Sequence, residues 1–213
     1  MDYIKKASKK ELRQIGLVRE IALSSLDGKR FQHSVGTAEM AASICRRYHL
    51  DEHKGYLAGL AHDLCKRMPV ERQLTLARAF DGPLPDLVFQ TPKFLHGPAA
   101  AVFLKLEGIS SDAGILEAVA YHTVGRADMS PLALAVYIAD KIEPGRREWA
   151  HAIREKLEKG KFDGKGGLQM LAVATIEDMH DYIVSSGRAV AATTLVLYNS
   201  LTGKSVVEWP VRL

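Results

Sequence analysis

The chain has 213 residues, 47% hydrophobic and 25% charged, with a formal net charge of +4. That length buries a sizeable core without staples, and the composition excludes a disordered chain. No run of about 18 apolar residues offers a membrane span, Met1–Lys10 is too charged for the apolar stretch of a signal peptide, and Cys45 and Cys65 form no CxxC pair, so a reducing, cytoplasmic setting is the expectation.

Ser8-Lys9-Lys10-Glu11 has the form of a capping box and opens a first helix, with Leu12, Ile15, Val18, Ile21 and Ala22 at helical spacing. A second stripe runs through Phe31, Val35, Ala38, Ala41, Ala42, Cys45 and Tyr48 and carries His33. Asp51 caps a third helix reaching about His62, and Pro69 suits the first turn of a fourth that ends before Asp81. Residues 82–92, with three prolines, read as a loop.

Further helices are expected from His96 to near Gly108, from Asp112 into His122, and from Ser130-Pro131 to about Asp140-Lys141. Two more cover about residues 146–159 and 167–185. After Gly187 the runs Thr193 to Tyr198 and Ser205 to Trp209 look β-like, so a small C-terminal hairpin is the expectation there. The fold class is therefore all-α, a helical bundle over one domain of residues 1–213, with no internal repeat and no linker.

His33, His62, Asp63, His96, His122 and Asp140 stand apart from the other polar residues. Each sits beside small or apolar neighbours, as in Gly59-Leu60-Ala61-His62-Asp63, Val119-Ala120-Tyr121-His122 and Tyr137-Ile138-Ala139-Asp140. Burying so many polar groups is costly unless one partner serves them all, and a metal centre does so. His49, His53, His151 and His180 lie outside that pattern and read as ordinary surface or packing residues. Cys65 has no base assigned to it and reads as packing.

His33, the pair His62-Asp63 and Asp140 resemble the H…HD…D signature of HD-domain phosphohydrolases, and His96 and His122 match the extended set of its binuclear members. More closely, Arg30-Phe31-Gln32-His33, His62-Asp63-Leu64-Cys65-Lys66, Leu95-His96-Gly97, His122-Thr123-Val124-Gly125-Arg126 and residues 139–146, from Ala139-Asp140-Lys141 to Gly145-Arg146, are similar to the YqeK family of bacterial symmetrical bis(5′-nucleosyl)-tetraphosphatases. The likeness runs from about Arg13 to Asn199. Residues from about 200 to 213 extend beyond the family's usual end.

The resemblance implies an HD-domain fold and two divalent metals. His33, His62, Asp63 and Asp140 would hold one, and His96 and His122 the second, with Asp63 bridging. The family points to iron; a mixed nitrogen and oxygen shell also suits manganese, cobalt or zinc. Such a pair acidifies a shared water, and the resulting bridging hydroxide is the expected nucleophile. Lys66 would place an ammonium over the reacting phosphate if the helix continues past Asp63, which makes Asp63 and Lys66 the catalytic expectation. Arg30, Arg126 and Arg146 lie near ligands and suit outer phosphates, while Thr123 and Glu143 would orient ligands or the phosphate chain.

The reaction so implied is symmetrical hydrolysis of diadenosine tetraphosphate to two ADP. Competing readings are a broader nucleotide phosphohydrolase or phosphodiesterase and a non-catalytic nucleotide sensor. The expected partner is a dinucleoside polyphosphate or other nucleotide, not a membrane or nucleic acid; a homodimer is compatible with the chain.

Overall fold

A computed structural model of the protein describes residues 7–146 and 148–209. Most of the Met1–Lys10 stretch weighed as a signal peptide is residues 1–6, and the last four residues of the extension are 210–213. Both stretches lie outside the described residues.

The described chain is helical throughout: α1 (Lys9–Ser25), α2 (Gly28–Arg47), α3 (Glu52–Ala61), α4 (Val70–Arg78), α5 (Asp86–Gln90), α6 (His96–Leu106), α7 (Ala113–Tyr121), α8 (Pro131–Ile142), α9 (Glu148–Glu158), α10 (Gly167–Ser185) and α11 (Ala192–Thr202). The caps are those the residue types call for. Ser8 and Glu11 form the reciprocal box, and the side chains of Asp51, Asp112 and Ser130 each accept a backbone N–H from the first turn they precede. Asp27 caps α2 in the same way, so that the helix begins at Gly28, three residues ahead of the start of its apolar stripe at Phe31.

The middle of the bundle is α8, buried at every position from Ala133 to Ile142. Against it pack α2, α3, α7, α9 and α10, while α6 lies on α7. One hydrophobic core runs through these helices, and a small cluster of Ala77, Val88, Leu95 and Val124 sits under the 82–95 connection. That connection differs from the loop expected: α5 and a 3-10 turn at Pro92–Phe94 lie within it, because Val88 finds a buried seat in the small cluster.

The C-terminal hairpin is overturned. Residues 192–202 form α11, which ends on Gly203 in the left-handed region, and no strand follows among the described residues. The β-branched run Thr193-Thr194 favours a strand locally, but Thr194, Leu197 and Tyr198 fall at helical spacing and are all buried. Tertiary burial outweighs a propensity of about a kilocalorie per mole. Beyond the helix, Asn199 holds Val206 by two hydrogen bonds, and Trp209 packs on His180 and Tyr198. The described part of the extension thus folds back on the bundle.

Candidate metal centre

Two close helix contacts build the centre. At Gly59 a Cβ would lie 2.8 Å from Ala38 Cα, so the missing side chain lets α3 press against α2 and brings His62 to His33. At Gly97 a Cβ would lie 2.7 Å from the Ala120 carbonyl oxygen, and the same device brings α6 against α7 and His96 to His122. His62 and His122 each stand at the C-terminal end of their helix, α3 and α7, still in helical conformation. Each Nδ1 meets the carbonyl oxygen three residues back, at 2.6 Å (Gly59) and 2.7 Å (Val119). His96 Nδ1 does likewise with Lys93, at 2.9 Å.

A carbonyl oxygen only accepts, so the proton of each of these imidazoles sits on Nδ1 and the Nε2 lone pair points inward. Two of those lone pairs meet each other, the His96 and His122 Nε2 atoms lying 3.1 Å apart, while His62 Nε2 lies 3.2 Å from His33 Nε2. Acceptors facing acceptors repel unless a positive charge stands between them, so the donor set fits a cation.

The carboxylates complete two sets. Asp140 Oδ1 lies 3.1 Å from His33 Nε2 and 3.6 Å from His62 Nε2. Asp63 turns one oxygen to each side: Oδ2 is 3.7 Å from His62 Nε2, while Oδ1 is 3.1 Å from His96 Nε2 and 3.8 Å from His122 Nε2. All six residues expected to gather do so. The groups His33–His62–Asp140 and His62–Asp63–His122 are each close enough to hold one metal ion.

Positive side chains cluster where the cluster is negative. Arg30 Nη1 donates to Asp63 Oδ2 at 2.6 Å, Arg146 Nη2 donates to Asp140 Oδ1 at 2.6 Å, and Lys66 Nζ lies 3.7 Å from Asp63 Oδ1 and 3.0 Å from His96 Nε2. Lys66 gets there without the helix continuation expected from its spacing: α3 stops at Ala61, and a run of turns over residues 62–67 delivers the ammonium. The Thr123 hydroxyl sits 2.8 Å from His122 Nε2.

Of the two roles expected of Glu143, orienting ligands or orienting the phosphate chain, its position serves the first. One carboxylate oxygen faces His33 Nδ1 at 3.1 Å and the other accepts the Gly145 N–H, so it orients an imidazole. Arg126 is not brought to the cluster. Its guanidinium lies over the Tyr121 ring and its Nε donates to the Ala127 carbonyl, because the turn after His122 directs it away.

Burial and charge set the protonation states. Burial alone would lower the His33 pKa, but Asp140 and Glu143 outweigh it and raise it to about 9. Burial drives His62 down to about 4, lowers His96, and holds His122 well below the usual imidazole range. Burial opposes ionisation of Asp63 and Asp140, yet the surrounding cations and imidazoles keep both well below the ordinary carboxylate range. Three neutral imidazoles and two carboxylates form a ready ligand set. Cys65 is the opposite case: burial pushes its thiol up to about 12, consistent with packing.

Lys141 belongs to the site although sequence reasoning passed over it. Its Nζ is buried, donating to the His122 carbonyl at 2.5 Å and to Asp140 Oδ2 at 3.0 Å, with the Tyr137 ring beneath it. The available signal was a lysine directly after the candidate ligand Asp140, the two interrupting an apolar run of Tyr137-Ile138-Ala139 before them and Ile142 after them. A cavity of about 1010 Å³ opens on the cluster past Arg30, His33, Asp63, Lys66 and Arg146. A second, of about 600 Å³, meets it at Thr123, Asp140 and Arg146.

Comparison with known proteins gives the same outline. The HD domain family model matches residues 30–145. A symmetrical bis(5′-nucleosyl)-tetraphosphatase of Halalkalibacterium halodurans is 27% identical over 186 residues, covering 87% of this chain and 96% of that protein. Its Bacillus subtilis namesake is 28% identical, covering 88% and 99%, and the Staphylococcus aureus one is 35% identical, covering 60% and 66%. Among solved structures, one from Clostridium acetobutylicum, described as a predicted HD superfamily hydrolase involved in NAD metabolism, superposes with a TM-score of 0.75 at 26% identity, covering 89% of this chain and 97% of that one.

Proposed function

The chain belongs to the HD domain family, and from that premise we propose that it splits dinucleoside tetraphosphates, diadenosine tetraphosphate above all, symmetrically into two nucleoside diphosphates with the help of two divalent metals, iron by resemblance. The observation that carries the reading is the orientation of Asp63, whose two oxygens face different imidazole sets. A carboxylate can give one oxygen to each of two cations; an imidazole, its Nδ1 committed to a carbonyl, has only one nitrogen to give. On this reading His33, His62, Asp63 and Asp140 hold one ion, and His96, His122 and Asp63 the other.

Two such cations acidify a water and neutralise phosphoryl charge. The protein's own residues do the rest. Lys66, free to leave His96 once that nitrogen is engaged, offers its ammonium to a phosphoryl oxygen whose charge grows as water's oxygen bonds to an inner phosphorus. The central P–O–P bond breaks, and each half leaves as a nucleoside diphosphate. Arg30 and Arg146, now on Asp63 and Asp140, would be freed for the outer phosphates as the carboxylates take up metal. Glu143 keeps His33 Nδ1 engaged, so that Nε2 stays turned inward.

The test is anaerobic incubation of metal-loaded protein with diadenosine tetraphosphate, followed by nucleotide chromatography and metal analysis. Two equivalents of ADP are expected. ATP plus AMP would replace symmetrical with asymmetric cleavage, cleavage of many nucleotides at similar rates would favour the broader phosphohydrolase, and tight binding without turnover would favour a sensor.

A further inference from the structure

The second cavity differs in character from the first. Among the described residues that line it, Lys93, Lys141, Arg146 and Arg188 bring four positive charges against one carboxylate, that of Asp140. One wall is aromatic and apolar. Met179, Tyr182 and Ile183 share a face of α10 at helical spacing, and Trp149 on α9 lies against Tyr182 with ring centroids 6.2 Å apart and planes 23° from parallel. Trp149, Met179, Tyr182 and Ile183 are all only partly buried, so this wall faces the cavity instead of closing into core. Among the described residues, no Phe, Tyr or Trp lines the larger cavity.

A flat aromatic surface under a ring of cations, opening on a phosphoanhydride-splitting centre, suits a ligand that is planar at one end and anionic at the other. We infer that the second cavity is a nucleoside subsite: the base of one half of the substrate stacks on the Trp149–Tyr182 wall, and the phosphate chain runs past Lys141 and Arg146 to the cluster, leaving the other half in the larger, polar cavity. The inference rests on the proposed reaction for its substrate. Its consequence is that a symmetrical substrate is held unsymmetrically, with base recognition concentrated on one half.

The test uses the only two tryptophans, Trp149 and Trp209. In a Trp209→Phe background, where Trp149 is the sole reporter, ADP should quench the fluorescence of the metal-loaded protein saturably and inorganic pyrophosphate should not. Trp149→Ala and Tyr182→Ala should raise KM for diadenosine tetraphosphate roughly tenfold with kcat and metal content little changed, since base stacking on an aromatic is typically worth roughly five- to 150-fold. Trp149→Phe should restore most of the loss. No quenching by ADP, or equal quenching by pyrophosphate, overturns the subsite, as does an unchanged KM in an alanine variant that still turns over. ADP-specific quenching in a protein that splits no dinucleoside tetraphosphate would keep the subsite and remove the proposed reaction, so the two can fail separately.

Discussion

On one side of Asp63 stand His33, His62 and Asp140; on the other stand His96 and His122. The first set is braced by charge: Glu143 holds His33, and Arg146 and Lys141 hold Asp140. The second has carbonyls of Lys93 and Val119 behind the rings and the Thr123 hydroxyl in front, with the Lys66 ammonium on His96 as a charged neighbour besides Asp63. One side therefore has a carboxylate of its own, while the other shares Asp63. Under the proposed reading this makes the first site the stronger attractor of a cation and the second the more easily emptied.

The change with the largest expected effect removes what the two sides share. Asp63→Ala should abolish hydrolysis and strip both metals while leaving the helical circular dichroism largely intact, because apolar stripes such as Ala38/Ala42 and Ile115/Val119 hold the helices. A variant with two metals and parental turnover would show that Asp63 bridges nothing. Next comes His122→Ala, which should leave about half of the metal bound and hydrolyse poorly. Equal loss of both ions would mean that the two sides are not separable in the way their bracing suggests.

Lys66→Ala should lower turnover by on the order of 10²–10³ with metal content unchanged, the usual cost of losing a donor aimed at developing charge. Parental turnover would return Lys66 to a spectator role. The smallest effect concerns the metal-free protein. Native His62 stays neutral down to about pH 4, whereas an unfolded histidine takes up its proton near 6.5, so the unfolded state binds more protons between those values. Stability should fall as pH drops from about 6.5 to about 4, with His96 and His122 pulling the same way.

His33 acts in the opposite sense. Its pKa is raised to about 9, so its contribution is already complete below 6.5 and is lost only as pH rises through 9. Asp63 and Asp140 lose theirs only below the ordinary carboxylate range. A urea midpoint that does not move between pH 7 and 4.5 would contradict the neutral, buried state assigned to these imidazoles.

Local chemistry made much of this legible in advance. Ser8-Lys9-Lys10-Glu11, Asp51, Asp112 and Ser130-Pro131 mark helix starts because a cap is satisfied within its own first turn, whatever the rest of the chain does. The six gathered polar residues stood out because each interrupts an apolar neighbourhood, which a foldable chain tolerates only for a partner. The chain after Gly187 resisted the same reading: its local preference pointed to strands, and the surface it packs on comes from α10.

The sequence by itself determined which residues were rich enough in chemistry to gather and which helices would carry them, since residue type and period act over a few positions. Only the tertiary structure decided that Asp63 divides its oxygens between two imidazole sets, that Arg126 turns toward Tyr121, that Glu143 serves His33, and that Lys141 ties His122 to Asp140. Each of those outcomes depends on the angle at which helices far apart in the chain meet. That angle is set by close packing at positions such as Gly59 and Gly97, and no local signal encodes it.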